Sequence, residues 1–392
     1  MNPPSPTPKG RLAVAAVALI AIAVTAGLLL SHDDPQRATG RTLQDCALMQ
    51  PGIAAKACYS TAISRQITPA SDPNDMLATL EATMLRLGSY PAAGCHVIMH
   101  TVGRRYAIAH KITLATLMRY LPRTNEAGCS AGFAHGVITA IAPEILQAGP
   151  NAARAVCDEA RTRYLRYSCV HGLGHAYMRF YAEALAPSLK LCGALGVNAA
   201  PDCAQGVYHD YWLASTGQDQ TRAPQGAPTT VPVLCESQPK VFVLPCWYRA
   251  FIETRPSGYQ TKSAQDLRHI CRQTTGLQRF GCITAAAVIG SPNPLAQLTV
   301  CRELATTDML ACIHGTKVQN VDAADLPDQL RVINRCSAFP TAVQTGCYEW
   351  LSKVLAVVTD GRFSQTGCPR VIRPRTCERG ARSYNGPLIT FS

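Results

Sequence analysis

Residues 152–178 read AARAVCDEARTRYLRYSCVHGLGHAYM. Up to Cys157 the small and apolar residues recur at helical spacing; a polar stretch follows, and Cys169 opens a second apolar run. A cysteine ending one helix and another opening the next, 12 residues on, describe a helical hairpin closed by a disulfide. One such hairpin is too thin to bury a core of its own, so the stretch predicts neighbours built the same way.

The chain supplies them. Cys46 and Cys58 are 12 apart, as are Cys157 and Cys169. A separation of 11 joins Cys192 to Cys203, Cys235 to Cys246, Cys271 to Cys282, Cys301 to Cys312 and Cys336 to Cys347. Cys368 and Cys377 follow at nine, while Cys95 and Cys129, 34 apart, stand outside the spacing. Helix-like runs precede the first cysteines (APSLKLC, AQDLRHIC, LAQLTVC, LRVINRC), and the second cysteines open apolar segments such as CITAAAVIG and CYEWLSKVLAVV. Four of these openings read C-x-x-G, through Gly132, Gly172, Gly206 and Gly315. A glycine one turn into a helix costs propensity, so its use is close approach of a neighbouring backbone. The expected fold is therefore all-α, a right-handed α-solenoid of about eight disulfide-stapled helical hairpins. Each staple would contribute about 2–4 kcal/mol. In organisation the pattern resembles the α/α repeat superfamilies, tetratricopeptide and Sel1-like arrays among them. Neither family's residue signature is present, so no function comes with the resemblance.

The N-terminus sets the compartment. Residues 12–30, LAVAAVALIAIAVTAGLLL, carry no charge and as a helix would span about 28 Å, enough for one membrane crossing. Lys9 and Arg11 before it and Asp33 and Asp34 after it predict a cytoplasmic 1–11, an anchor over 12–30 and an extracytoplasmic remainder. Cleavage near Val24-Thr25-Ala26 is the alternative, disfavoured because signal h-regions run about 7–15 residues. All 18 cysteines follow the segment, as an oxidising, periplasmic or extracellular setting requires. Past a linker at 31–45, the chain divides into a histidine-rich repeat half (46–215), a turn-rich insertion (216–234), a histidine-poor half (235–360) and a basic, disulfide-tied cap (361–392) without helical pattern. The exported part is net basic, which suits a protein partner or an anionic surface; nucleic acid is excluded by location.

Six of the ten histidines form a pattern. His135, His175 and His209 each fall six residues after a second cysteine, in three adjacent units. His171 precedes His175 by four, and His96 precedes His100 by four in CHVIMH, so each pair shares a helix face. Two such pairs can aim four imidazoles at one ion, at bonds of about 2.0–2.1 Å for zinc. His96, His100, His171 and His175 are thus the expected metal ligands. His135, His209 and Asp210 are alternative ligands or outer partners. Zinc is the default ion; copper and iron also suit imidazole, and Met99 beside His100 keeps copper in view. The competing reading is that a repeated histidine packs in each unit as a hydrogen-bonded core group. His110, His269 and His314 lack such partners and read as structural or solvated, and His32 carries no site signal.

Other signals fall away. CHVIMH lacks the glutamate of a zincin, and the absence of Cys-x-x-Cys removes redox motifs, haem attachment and zinc ribbons. Gly128-Cys129-Ser130-Ala131-Gly132 matches a nucleophile elbow, but it coincides with the repeat's own C-x-x-G. VFVLP at 241–245 has a strand-like composition. Two functions remain: an anchored interaction scaffold with a histidine metal site, or an extracytoplasmic metal-dependent enzyme built on two His-x-x-x-His helices.

Overall fold

The computed structural model describes residues 41–383, apart from 51, 67–71, 123–128, 183, 216–230, 255–260, 292, 319–320 and 323. The predicted anchor at 12–30 and most of the turn-rich insertion lie outside the described residues. Every described element is a helix. In chain order they are α1 (Leu43–Ala47), α2 (Ile53–Gln66), α3 (Pro73–Leu87), α4 (Ser89–Ala109), α5 (Leu117–Tyr120), α6 (Cys129–Ala140) and α7 (Ala142–Ala148). There follow α8 (Pro150–Asp158), α9 (Arg163–Phe180), α10 (Leu185–Ala194), α11 (Ala200–Ser215), α12 (Val231–Glu236) and α13 (Lys240–Glu253). The rest are α14 (Ala264–Ile270), α15 (Gly276–Val288), α16 (Pro294–Arg302), α17 (Thr306–His314), α18 (Leu326–Asn334), α19 (Thr341–Val358), α20 (Arg362–Thr366) and α21 (Pro374–Arg382).

Local chemistry starts these helices where hairpins need them to start. Thr42 with Asp45 and Ser263 with Asp266 form capping boxes at α1 and α14. Thr162 caps α9 by accepting from the Leu165 backbone N–H. Every expected cysteine pair is joined. Cys46 bonds to Cys58, Cys157 to Cys169, Cys192 to Cys203 and Cys235 to Cys246. In the second half Cys271 bonds to Cys282, Cys301 to Cys312, Cys336 to Cys347 and Cys368 to Cys377. The left-over Cys95 and Cys129 bond to each other across α4 and α6. No cysteine is free. Nine disulfides of this kind mark an oxidising, extracytoplasmic protein.

The second helices of successive hairpins lie against one another in chain order: α2, α4, α6, α9, α11, α13, α15, α17, α19 and α21. The row bends far enough for α9 to touch α19. Small residues set the spacing. A side chain at Gly132 would collide with the carbonyl oxygen of His96, and one at Gly206 with the carbonyl oxygen of His171. Gly132 and Gly206 therefore do what their position predicts and admit backbones that carry the paired histidines, whereas Gly172 meets the Ile138 side chain and Gly315 the carbonyl oxygen of Thr284. Two buried apolar clusters fill the structure, one from Leu43 to Ala250 and one from Ala264 to Ala381, divided after α13.

Five expectations change. The pairing of the second cysteines is as expected, but their place in the helix is not. Cys203 is the fourth residue of α11, and Cys169, Cys246, Cys282, Cys312 and Cys347 are each the seventh of α9, α13, α15, α17 and α19. The residues before each of them form the first turns of the helix, and in most units they are polar enough to hide its start from an apolar pattern. VFVLP belongs to α13, with Pro245 inside the helix; Phe242, Leu244 and Trp247 are buried there, and packing outweighs β propensity. The end of the chain is not without helix, because α20 and α21 follow α19. The buried side of α21 is Cys377, Gly380 and Ala381, residues too small to read as an apolar stripe. Residues 231–234 open α12 rather than ending the insertion, and 43–45 open α1 rather than ending the linker. Among the described residues no single helix is long and apolar enough to cross a membrane.

Candidate metal centre

Four consecutive members of the helix row carry the six histidines. His96 and His100 lie on α4, His135 on α6, His171 and His175 on α9, and His209 on α11. The rings meet in one cluster. Ring centres are 4.9 Å apart for His96–His100, 5.0 Å for His96–His135, 4.8 Å for His100–His175, 4.7 Å for His135–His171 and 5.0 Å for His175–His209. His135, His171, His175 and His209 are buried, whereas His96 and His100 are half-buried and form the solvent-side edge.

Within the cluster, three groups bring ligand atoms within 4.8 Å of one another: His96 with His100 and His135, His135 with His171 and His175, and His100 with His175 and Asp210. Each could hold a metal ion. The expectation that the two i, i+4 pairs alone close one sphere needs correction. The helix α6 lies between α4 and α9 in the row, so His135 stands between the pairs and only His100 and His175 approach directly. His209 belongs to the cluster but to none of the three groups.

The two nitrogens of each ring have different surroundings. His175 Nδ1 lies 2.9 Å from Asp210 Oδ1, His209 Nε2 lies 3.5 Å from Glu253 Oε1, and His135 Nε2 lies 3.2 Å from Ser168 Oγ. Arg249 Nη2 lies 3.4 Å from His171 Nε2. On all four rings the other nitrogen is buried and has no hydrogen-bond partner. A carboxylate accepts only, so Asp210 and Glu253 put the proton of His175 and His209 on the outer nitrogen and leave the inner lone pair available. That is the carboxylate–histidine arrangement found behind metal ligands. Comparison with protein-family models, with curated proteins and with solved structures found no match. The chemistry of the cluster has to be read from its own atoms.

Burial holds His135 well below the usual imidazole range, and the adjoining histidines push the same way. His171 and His209 are lowered well below that range too, first by burial, then by the positive charge of Arg249 and then by their neighbours. Neutral imidazole is the metal-binding form, and burial favours the neutral form in all three rings. Glu253 is raised by burial, with Arg249 opposing from 3.1 Å. No thiolate can take part, because every cysteine is in a disulfide.

The remaining predicted residues sort clearly. Met99 packs in the apolar core. His110 stacks on Tyr106 with ring centres 4.0 Å apart, His314 stacks on Trp350 at 3.9 Å, and His269 is exposed. Ser130 is a buried residue in the first turn of α6, with no strand before it among the described residues. Arg249, Glu253 and Ser168 were not among the sequence candidates. The i, i+4 charge pair of Arg249 and Glu253 on the apolar helix α13 was the available signal.

Proposed function

We propose that this is an exported, membrane-anchored α-solenoid whose first-half helices hold a transition-metal centre, ligated by imidazoles and oriented by Asp210 and Glu253. The observation that carries this is the two-sided state of the rings: outer nitrogens engaged by Asp210, Glu253 and Ser168, inner nitrogens buried and unpartnered. A packed histidine hydrogen-bonds both nitrogens or gives one to water. Three rings, His135, His175 and His209, that each keep an unpartnered nitrogen among other imidazoles are better explained by an ion between them.

An all-nitrogen and carboxylate donor set suits zinc, copper or iron. The fold is already stapled by nine disulfides, so it does not depend on a metal for closure. Three donors per group leave a further position on the ion, and the half-buried edge at His96 and His100 gives it a route to solvent. That combination favours a reactive centre, and with it the metal-dependent enzyme over the bare interaction scaffold, which rests on architecture alone. The test is elemental analysis of the full-length protein, disulfides intact, after incubation with zinc, copper or iron and removal of loose metal. Wild type should retain about one equivalent or more, and His175→Ala should lose it while keeping its helical circular dichroism. Wild type that retains less than about a tenth of an equivalent refutes the centre.

A further inference from the structure

His171 differs from its neighbours in one respect. The outer partners of His175 and His209 are carboxylates, which accept, and that of His135 is a hydroxyl, which can do either. The outer partner of His171 is Arg249, and a guanidinium only donates. His171 Nε2 must therefore be the accepting nitrogen. In a neutral ring the proton then sits on Nδ1, the inner nitrogen, which is buried and has no hydrogen-bond partner. An Nδ1 that carries a proton has no lone pair for a metal. Instead it presents an N–H to the interior of the cluster, 4.7 Å between ring centres from His135 and 4.9 Å from His175.

Resting on the metal-centre reading above, we infer that His171 is not a ligand but the hydrogen-bond donor to a small anion bound at the metal's remaining position. Arg249 fixes its tautomer. The ligand class is a small anion that coordinates through oxygen or nitrogen, of the size of hydroxide, azide or a carboxylate group. Arg249 is itself tethered, since its Nη1 donates to Glu253 Oε1 at 3.1 Å. The same carboxylate faces His209 Nε2, so one helix, α13, sets the proton positions of two rings in opposite senses. It makes His209 point a lone pair inward and makes His171 point a proton inward.

The probe is azide. The full-length protein, disulfides intact, is loaded with Cu(II) and titrated with azide, following the azide-to-copper charge-transfer absorption, with copper content measured in parallel. His171→Ala should keep its copper and bind azide about tenfold or more weakly, the size of a lost hydrogen bond to a charged acceptor. His171→Gln, which retains an N–H donor, should lie within about threefold of wild type. Loss of copper from His171→Ala would make His171 a ligand and overturn the inference while leaving the centre standing. Unchanged azide affinity in that variant would overturn it as well. If His171→Ala does not fold, Arg249→Met decides: copper retained with azide about tenfold weaker supports the donor role, and unchanged azide affinity refutes it. Wild type that takes up no copper sinks the centre and the inference together.

Discussion

Cys169-Val170-His171-Gly172 in α9 and Cys312-Ile313-His314-Gly315 at the end of α17 are the same four-residue motif in two parts of one row of helices. Both cysteines are stapled to the preceding helix, and both histidines are buried. Their fates differ because of what lies four residues on and on the next helices. His171 is followed by His175 and flanked by His135 and His209, so its unpartnered nitrogen lies among other imidazoles. His314 is followed at that distance by Val318 and lies between aromatic rings, 3.9 Å from Trp350 and 5.2 Å from Phe280. Its Nε2 is also buried without a hydrogen-bond partner, but among the described residues no metal-ligating group includes it. A lone unpartnered nitrogen is a cost of packing; several that converge could hold an ion.

The sharpest way to break this contrast is at the inner nitrogens. His175→Ala should weaken zinc binding more than about a hundredfold, beyond the range typical of an outer partner, whereas His314→Ala should leave zinc affinity unchanged. Equal losses in a competition titration with a chromophoric chelator would show that the two histidines are not different in kind. The acids offer a second pair. Asp210→Asn removes the carboxylate behind His175 and should cost about ten- to a hundredfold in zinc affinity with folding preserved. Asp308→Asn breaks the two-pronged contact with Arg279, at 2.7 Å and 2.6 Å, and should cost about 2 kcal/mol in urea stability without touching zinc.

The glycines make a third comparison. A Cβ at Gly206 meets the carbonyl of His171, and one at Gly315 meets the carbonyl of Thr284. Gly206→Ala and Gly315→Ala should each destabilise by about 1–3 kcal/mol, since backbone must move to admit the methyl group. Only Gly206→Ala should also weaken metal binding, because the backbone it displaces carries a ring of the cluster. If Gly206→Ala bound zinc as wild type does, the spacing of α9 and α11 would not be what assembles the site.

Much of this was legible in the sequence, for identifiable reasons. A disulfide that closes a tight helical hairpin has few permitted lengths, so spacings of 11 and 12 revealed the pairs, while Cys95–Cys129 depends on how α4 meets α6. Where each second helix begins was not legible, because the first turns before Cys246 and Cys347 follow Pro239 and Pro340 without a side-chain cap and carry no helical apolar stripe. Three of the six histidines, His135, His175 and His209, were visible because each falls six residues after a cysteine, and the other three because each stands four residues from another histidine. The order of the row was not visible, and it puts His135 between the two pairs. Arg249 and Glu253 went unnoticed because α13 opens with VFVLP, a strand-like run that helix packing overrides. Which nitrogen of each ring faces inward depends on partners 33 to 78 residues away, and no local pattern encodes that.

The last contrast is in pH dependence. His314 is pushed down to about 3 by burial and then by the charge of Lys353, while the unfolded chain keeps the ordinary value near 6.5. Below 6.5 the unfolded state takes up the proton first, so stability is full above that pH and falls as pH drops toward 3. The slope is about 1.4 kcal/mol per pH unit for one such group. His135, His171 and His209, also lowered, add to the loss in metal-free protein. Urea midpoints between pH 7.5 and 5 should fall for wild type and fall less for His314→Gln; parallel curves would show that His314 is not held neutral.

The most direct measurement is X-ray absorption at the metal edge of the full-length protein loaded with one equivalent of zinc. The account predicts only nitrogen and oxygen neighbours at about 2.0–2.1 Å, with the multiple scattering of at least two imidazole rings. A sulfur neighbour at about 2.3 Å, or fewer than two imidazoles, would place the metal elsewhere and contradict the histidine centre.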